Sequence, residues 1–203
     1  MNKKIGIRAA SINLIAVIGF SVSMLVNAKP PTASYLTSMG NAFSFVVMIC
    51  TFAHYAEETS RVAAFAAMLF GGMYAICNSI VYFIQLATVR NDSLTGQAAS
   101  LLHFQQYGLM FNLDMLGYSL MSLSTFFIGL TIQEKKHPEK WLKWLLIIHG
   151  AFAVCCFIVP LLGIFNTETA GNSSLAGILI LEFWCIYFAP ISVLSISYFS
   201  NRR

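Results

Sequence analysis

Asp114 and Glu182 fall inside long apolar stretches, while the chain's other six acidic residues lie in polar connections. A carboxylate at the centre of a membrane helix costs about 2.5–3.5 kcal/mol on insertion scales, so such groups usually face a bundle interior or a wet cavity. Counted at 1.5 Å per residue from the ends nearer the termini, both lie ~27 Å along their helices. The same arithmetic puts Asn78 at ~24–26 Å and Asn41 at ~20–23 Å, so four helices offer polar groups at similar depth. Helical spacing extends the set. Tyr74, Asn78, Tyr82 and Gln85 form one stripe, and Tyr107, Asp114, Tyr118 and Ser122 form a second with Asn112 beside it. Ser34, Ser38 and Asn41 form a third.

Two readings follow. In the first, Asp114, Glu182, Asn78, Tyr82, Gln85, Asn112, Tyr118 and Asn41 line an outward-facing polar pocket. Such a pocket suits a cationic or hydroxylated small solute, or proton-coupled movement. In the second, the same groups hydrogen-bond between helices and fix the bundle. Paired carboxyls ~5–10 Å apart would also permit acid–base chemistry on a lipid-like substrate.

Other chemistries lack their residues. No H-E-x-x-H, P-loop, G-x-S-x-G or Gly-rich phosphate loop occurs. His54 and His149 fall at unequal depths, which does not suit a two-histidine haem. No cofactor and no metal site are expected. Cys50, Cys77, Cys155, Cys156 and Cys185 all fall in apolar stretches and read as small packing residues. Asn91-Asp92-Ser93 and Asn172-Ser173-Ser174 match the glycosylation pattern and read as chance matches in short loops.

The elements that must carry these residues are set by composition. The chain is 58% hydrophobic and 10% charged, far below the roughly 25% charge of a soluble domain. That excludes a cytosolic globule, a disordered chain and a nucleic-acid binder. Six stretches are long enough to cross ~30 Å of hydrocarbon. They run about 9–26, 35–56, 62–86, 110–132, 141–165 and 175–199. Helix is required because unpaired amides in lipid cost several kcal/mol each, and barrel-strand alternation is absent. The expectation is an all-α, polytopic bundle of six transmembrane helices forming a single domain over residues 1–203.

Charge orients the bundle. Lys3, Lys4, Arg8, Arg61, Lys135, Lys136, Lys140, Lys143, Arg202 and Arg203 fall on one side, and Lys29 and Arg90 on the other. The positive-inside rule then makes both termini cytoplasmic. Val26-Asn27-Ala28 before Lys29 has the look of a signal-peptide cleavage site, but the preceding apolar stretch is ~18 residues against the usual 7–15, so retention is expected. The stretch 97–109 is too polar for lipid and reads as a short surface helix bending into the fourth span. Ala63, Ala67, Gly71 and Ala75 give the third span a small-residue face for close helix packing. Pro160 and Pro190 interrupt the last two spans.

The second half carries a resemblance. Tyr107-Gly108 leads into Leu116-Gly117-Tyr118, and Gly129-Leu130 precedes a basic turn with Pro138. Trp141-Leu142-Lys143-Trp144-Leu145 opens the next span, and Glu182 lies in the last. Over about Gln106 to Phe199 this resembles a large uncharacterised family of bacterial six-span inner-membrane proteins, a domain of unknown function. The resemblance implies the architecture and a bacterial inner-membrane location, and no site. Asp114 and Asn112 are not part of that pattern. The expected function is binding or transport of a small molecule, with an intramembrane enzyme or a membrane scaffold as alternatives. Expected partners are membrane lipids, a small-molecule ligand and a protein at the cytoplasmic loops, with no nucleic acid.

Overall fold

The computed structural model describes residues 1–26, 31–105, 107–134, 136–163 and 170–202, with side chains from 177 onward in the last stretch. Lys29, Lys135, Arg203 and the cleavage-like Asn27-Ala28 lie outside the described residues, as do the side chains of the tripeptide at Asn172, whose backbone is helical instead of the expected loop. The described residues are helical, and six helical segments are long and apolar enough to cross a membrane. This is a multi-pass membrane architecture.

The first three spans are α1 (Asn2–Leu25), α2 (Thr32–His54) and α3 (Arg61–Ile84), the last extended by a π-helical turn at Gln85–Val89. A short surface helix, α4 (Gly96–Leu102), precedes α5 (Leu109–Leu130). Between them Tyr107 takes the left-handed conformation (φ 60°), so the surface segment turns sharply into the span. The fifth span is two helices, α6 (His137–His149) and α7 (Ala151–Leu162), separated at Gly150. A Cβ at Gly150 would come within 2.8 Å of the Phe126 Cβ, so a glycine permits this close approach to α5. The last span is α8 (Ala170–Ser200).

Both termini lie at one face of the bundle. Asn2 hydrogen-bonds His54 at the end of α2 (2.9 Å), and Gly6 packs against Phe199. Arg202 pairs with Glu139 at the start of α6 (3.5 Å) and lies over the Tyr198 ring. This is called the terminal face below. The helices pack in the order α8–α1–α2–α3–α5, and α5 carries both α6 and α7. At the terminal half α6 packs on α8 and closes the ring. The core is aromatic and aliphatic, with Phe45, Phe52, Tyr74, Phe188 and Phe199 fully buried. Apolar side chains on the outside, such as Phe65, Leu69, Ile76 and Phe83 along α3, are exposed as a lipid-facing surface requires.

The buried face of α3 is Ala64, Ala67, Gly71, Tyr74, Asn78, Val81 and Tyr82, spaced three and four apart. Its lower part admits close packing: the Ser124 hydroxyl of α5 reaches the Ala67 carbonyl at 2.7 Å. The small-residue face and the polar stripe are thus two parts of one buried seam.

Candidate functional site

A cavity of about 410 Å³ lies between α5, α7 and α8. Its walls are mainly Phe111, Met115, Phe152, Val159, Ile180, Leu181 and Trp184, with Phe104 also lining it. Asp114 and Tyr118 belong to the same wall, with Ser122 one turn further along. The expectation of a polar pocket is therefore corrected: the space beside Asp114 is predominantly apolar and holds one carboxyl. A second space of about 400 Å³ lies near the face opposite the termini, bordered by Thr32, Tyr35, Gln85, Arg90 and His103. Phe104 borders both.

Asp114 is buried at 6% exposure. The Tyr82 hydroxyl of α3 donates to its Oδ2 at 3.0 Å, and Oδ1 has no hydrogen-bond partner among the described residues. The hydroxyls of Ser38 and Tyr118 lie beside that of Tyr82. The Tyr82 ring is sandwiched by Tyr35 of α2 (5.3 Å) and Phe104 (6.3 Å). Residues 78, 82 and 85 on α3 share the stripe foreseen from their spacing, and 114 and 118 on α5 face it.

Glu182 is elsewhere. It is absent from the cavity wall and accepts a hydrogen bond from the Ser21 hydroxyl of α1, across the α1–α8 contact. The expected pairing of Asp114 and Glu182 in one pocket is corrected. A helix turns 100° per residue, and Ile180, Leu181 and Trp184, not Glu182, are α8 residues that face the cavity. The acid–base reading loses its second carboxyl for the same reason.

The remaining expected site residues divide. Asn41 is a tie between helices: its Oδ1 accepts from Asn13 Nδ2 (2.7 Å) and its Nδ2 donates to the Tyr74 hydroxyl (3.2 Å). Gln85 clamps the chain between α4 and α5, donating to the Leu102 carbonyl (2.7 Å) and accepting from the Phe104 amide (3.2 Å). Both roles satisfy backbone or amide groups that would be costly unpaired in a membrane. Asn112 is exposed and bonds the Tyr107 carbonyl at 3.3 Å, so its place in the pocket is also corrected. Two residues from Asp114 is 200° around the helix, which carries Asn112 to the other side. Asn78 is fully buried and neither amide atom is hydrogen-bonded.

Sequence reasoning missed two polar hubs. Asn13 is fully buried and binds α1 to two helices, donating to Asn41 and Ser44 of α2 and accepting from Ser192 of α8 (2.8 Å). Its signal was present as an asparagine within an apolar run. The other hub is His149. Trp184 Nε1–H donates to its Nε2 at 3.0 Å, and Thr125 Oγ1 is 2.8 Å from its Nδ1. Indole nitrogen can only donate, and Thr125 already donates to the Ser122 carbonyl (2.8 Å). His149 therefore holds its proton on Nδ1 and accepts at Nε2. Phe152, Tyr187 and Phe188 enclose the ring. This hub forms the cavity's floor, because Phe152 and Trp184 belong to both.

Comparison with protein-family models, with curated proteins and with solved structures finds no match for this chain.

Proposed function

We propose that this protein is a bacterial inner-membrane protein that binds or transports a small amphipathic molecule in the α5–α7–α8 cavity. The observation that carries the reading is one buried carboxyl, Asp114, in the wall of an otherwise apolar space of about 410 Å³. Ligand sites are commonly of this kind: mainly apolar and aromatic walls with few placed polar groups that fix orientation. The apolar part of the occupant lies against Phe111, Leu181 and Trp184, and an amine or hydroxyl reaches the Asp114 side. A purely polar solute would leave most of this wall without a partner.

The orientation supported by charge has both termini in the cytoplasm, with the basic residues of the terminal face inside. The cavity then lies in the half of the bundle away from the cytoplasm. Reporter fusions at Arg203 and after Arg90 test this, and an externally active reporter at the C-terminus would reverse it.

The function test is native mass spectrometry of protein purified in mild detergent. The expected result is a bound species that is lost on Leu181→Trp, which fills the cavity, and weakened on Asp114→Asn. Identical spectra for wild type and Leu181→Trp would overturn the reading.

A further inference from the structure

Beside the cavity, buried polar atoms on three helices lie at one level without hydrogen bonds among the described residues. They are Ser38 Oγ on α2, both amide atoms of Asn78 on α3, and Asp114 Oδ1 on α5. The level is fixed by the aromatic contacts above and below it. Towards the face opposite the termini, Tyr35 of α2 packs on Tyr82 of α3, and Tyr82 bonds Asp114. Towards the terminal face, Asn41 of α2 bonds Tyr74 of α3, and Tyr74 packs on Tyr118 of α5. Ser38 falls between 35 and 41, and Asn78 falls between 74 and 82. The turn from Asp114 to Tyr118 spans the same interval on α5. The three residues are 3%, 0% and 6% exposed.

Buried polar groups left unpaired are uncommon in native proteins, and each calls for an explanation. Charge sharpens the question. Among the described residues, the ionisable side chains near Asp114 include Tyr35, Tyr74, Cys77, Tyr82, Tyr118 and Cys156, and none of these is a cation. None of the ion pairs among the described residues involves Asp114. A carboxyl so placed is stabilised either by a proton or by a positive partner. Carboxylate, amide and hydroxyl oxygens are hard donors, unlike the thiolate and imidazole sets that select zinc or copper.

We propose that Ser38, Asn78 and Asp114 form a binding site for a small monovalent cation of the sodium class. The oxygens Oγ, Oδ1 and Oδ1 supply three ligands from α2, α3 and α5, and the Asn78 NH₂ holds a water of the ion's hydration shell. The Tyr82 hydroxyl orients the carboxylate through Oδ2. Ion occupancy ties α2, α3 and α5 together and neutralises the one carboxyl of the cavity wall. The assignment does not depend on what fills the cavity.

The test uses the full chain purified in detergent. Binding of ²²Na⁺ is followed by scintillation proximity, and thermal unfolding is compared in sodium and choline chloride at equal ionic strength. Saturable ²²Na⁺ binding displaced by sodium and not by choline is expected, together with a Tm higher in sodium. Asp114→Asn should abolish both effects, and Ser38→Ala should weaken binding about tenfold, the loss of one ligand worth about 1.4 kcal/mol. Ser38→Ala carries the test if Asp114→Asn does not fold. Equal Tm in the two salts with no specific ²²Na⁺ binding would overturn the proposal. So would a Tm that follows pH and ignores sodium, which would mean that the carboxyl holds a proton alone. The readout is separate from the mass-spectrometric test of the cavity, so either can fail without the other.

Discussion

The fifth and sixth spans meet twice, and the two meetings differ. Near the terminal face, α6 and α8 are joined by polar ties. His149 takes the Trp184 indole N–H, the Tyr187 hydroxyl donates to the Leu145 carbonyl at 2.7 Å, and Glu139 pairs with Arg202. In the other half, α7 packs on α5, and the cavity separates it from α8. There α7 presents Val154, Cys155, Phe157, Ile158 and Leu161, all exposed and none able to make a strong hydrogen bond. Apolar side chains gain little from each other in lipid, since the lipid is equally apolar. Helix pairs without polar ties or small residues have little reason to close, and space between them is inexpensive. The contrast teaches that the cavity sits where the α7–α8 seam has no hydrogen bonds among the described residues.

The largest effect should come from the closed seam. His149→Ala leaves the Trp184 N–H unpaired and opens a void, which should cost about 3 kcal/mol and lower Tm by several degrees. Unfolding in detergent checks it, and an unchanged Tm would remove the hub from the account. Gly150→Leu should follow at about 1–3 kcal/mol, because any side chain meets Phe126 and forces α6 and α7 away from α5. Arg202→Ala should cost about 1–2 kcal/mol, since its partner Glu139 is buried but keeps the Lys136 amide as a donor. Val159→Ala in the cavity wall should cost less than a typical core truncation, about 0.5 kcal/mol, because the space is already open. A cost of 2 kcal/mol there would mean that the cavity wall is packed like the core. Hydrogen exchange offers a sharper comparison: amides of α7 should exchange faster than those of α6. Equal protection would erase the distinction between the two seams.

The six spans could be read directly from the sequence, because hydrophobic length alone decides them. The helices begin and end within a few residues of the apolar stretches, apart from α1, which continues through Lys3, Lys4 and Arg8 towards Asn2. The bend before α5 was legible in the polarity of residues 97–109. Spacing also identified the shared face of Tyr74, Asn78 and Tyr82, and the shared face of Asp114 and Tyr118 on α5. What could not be read was which helices lie beside one another. Depth arithmetic gives a residue's height in the membrane and says nothing of its azimuth. Asp114 and Glu182 are matched in height, yet one faces α3 and the other faces α1. For the same reason His149, dismissed for its unequal depth against His54, found Trp184 and Thr125 as partners. A polar residue in an apolar run signals a partner, and only the packing names it.

Phe104 borders both large spaces, and its amide is held by Gln85. Its removal therefore has a consequence in volume. Phe104→Ala would remove the ring that two spaces of about 400 and 410 Å³ share as a wall, and so enlarge both. For the ligand proposed above, the phenyl ring would bear on exchange, while the walls beyond it would bear on retention. Affinity and residence time would then be adjustable at separate residues, one by the partition and the other by the chamber.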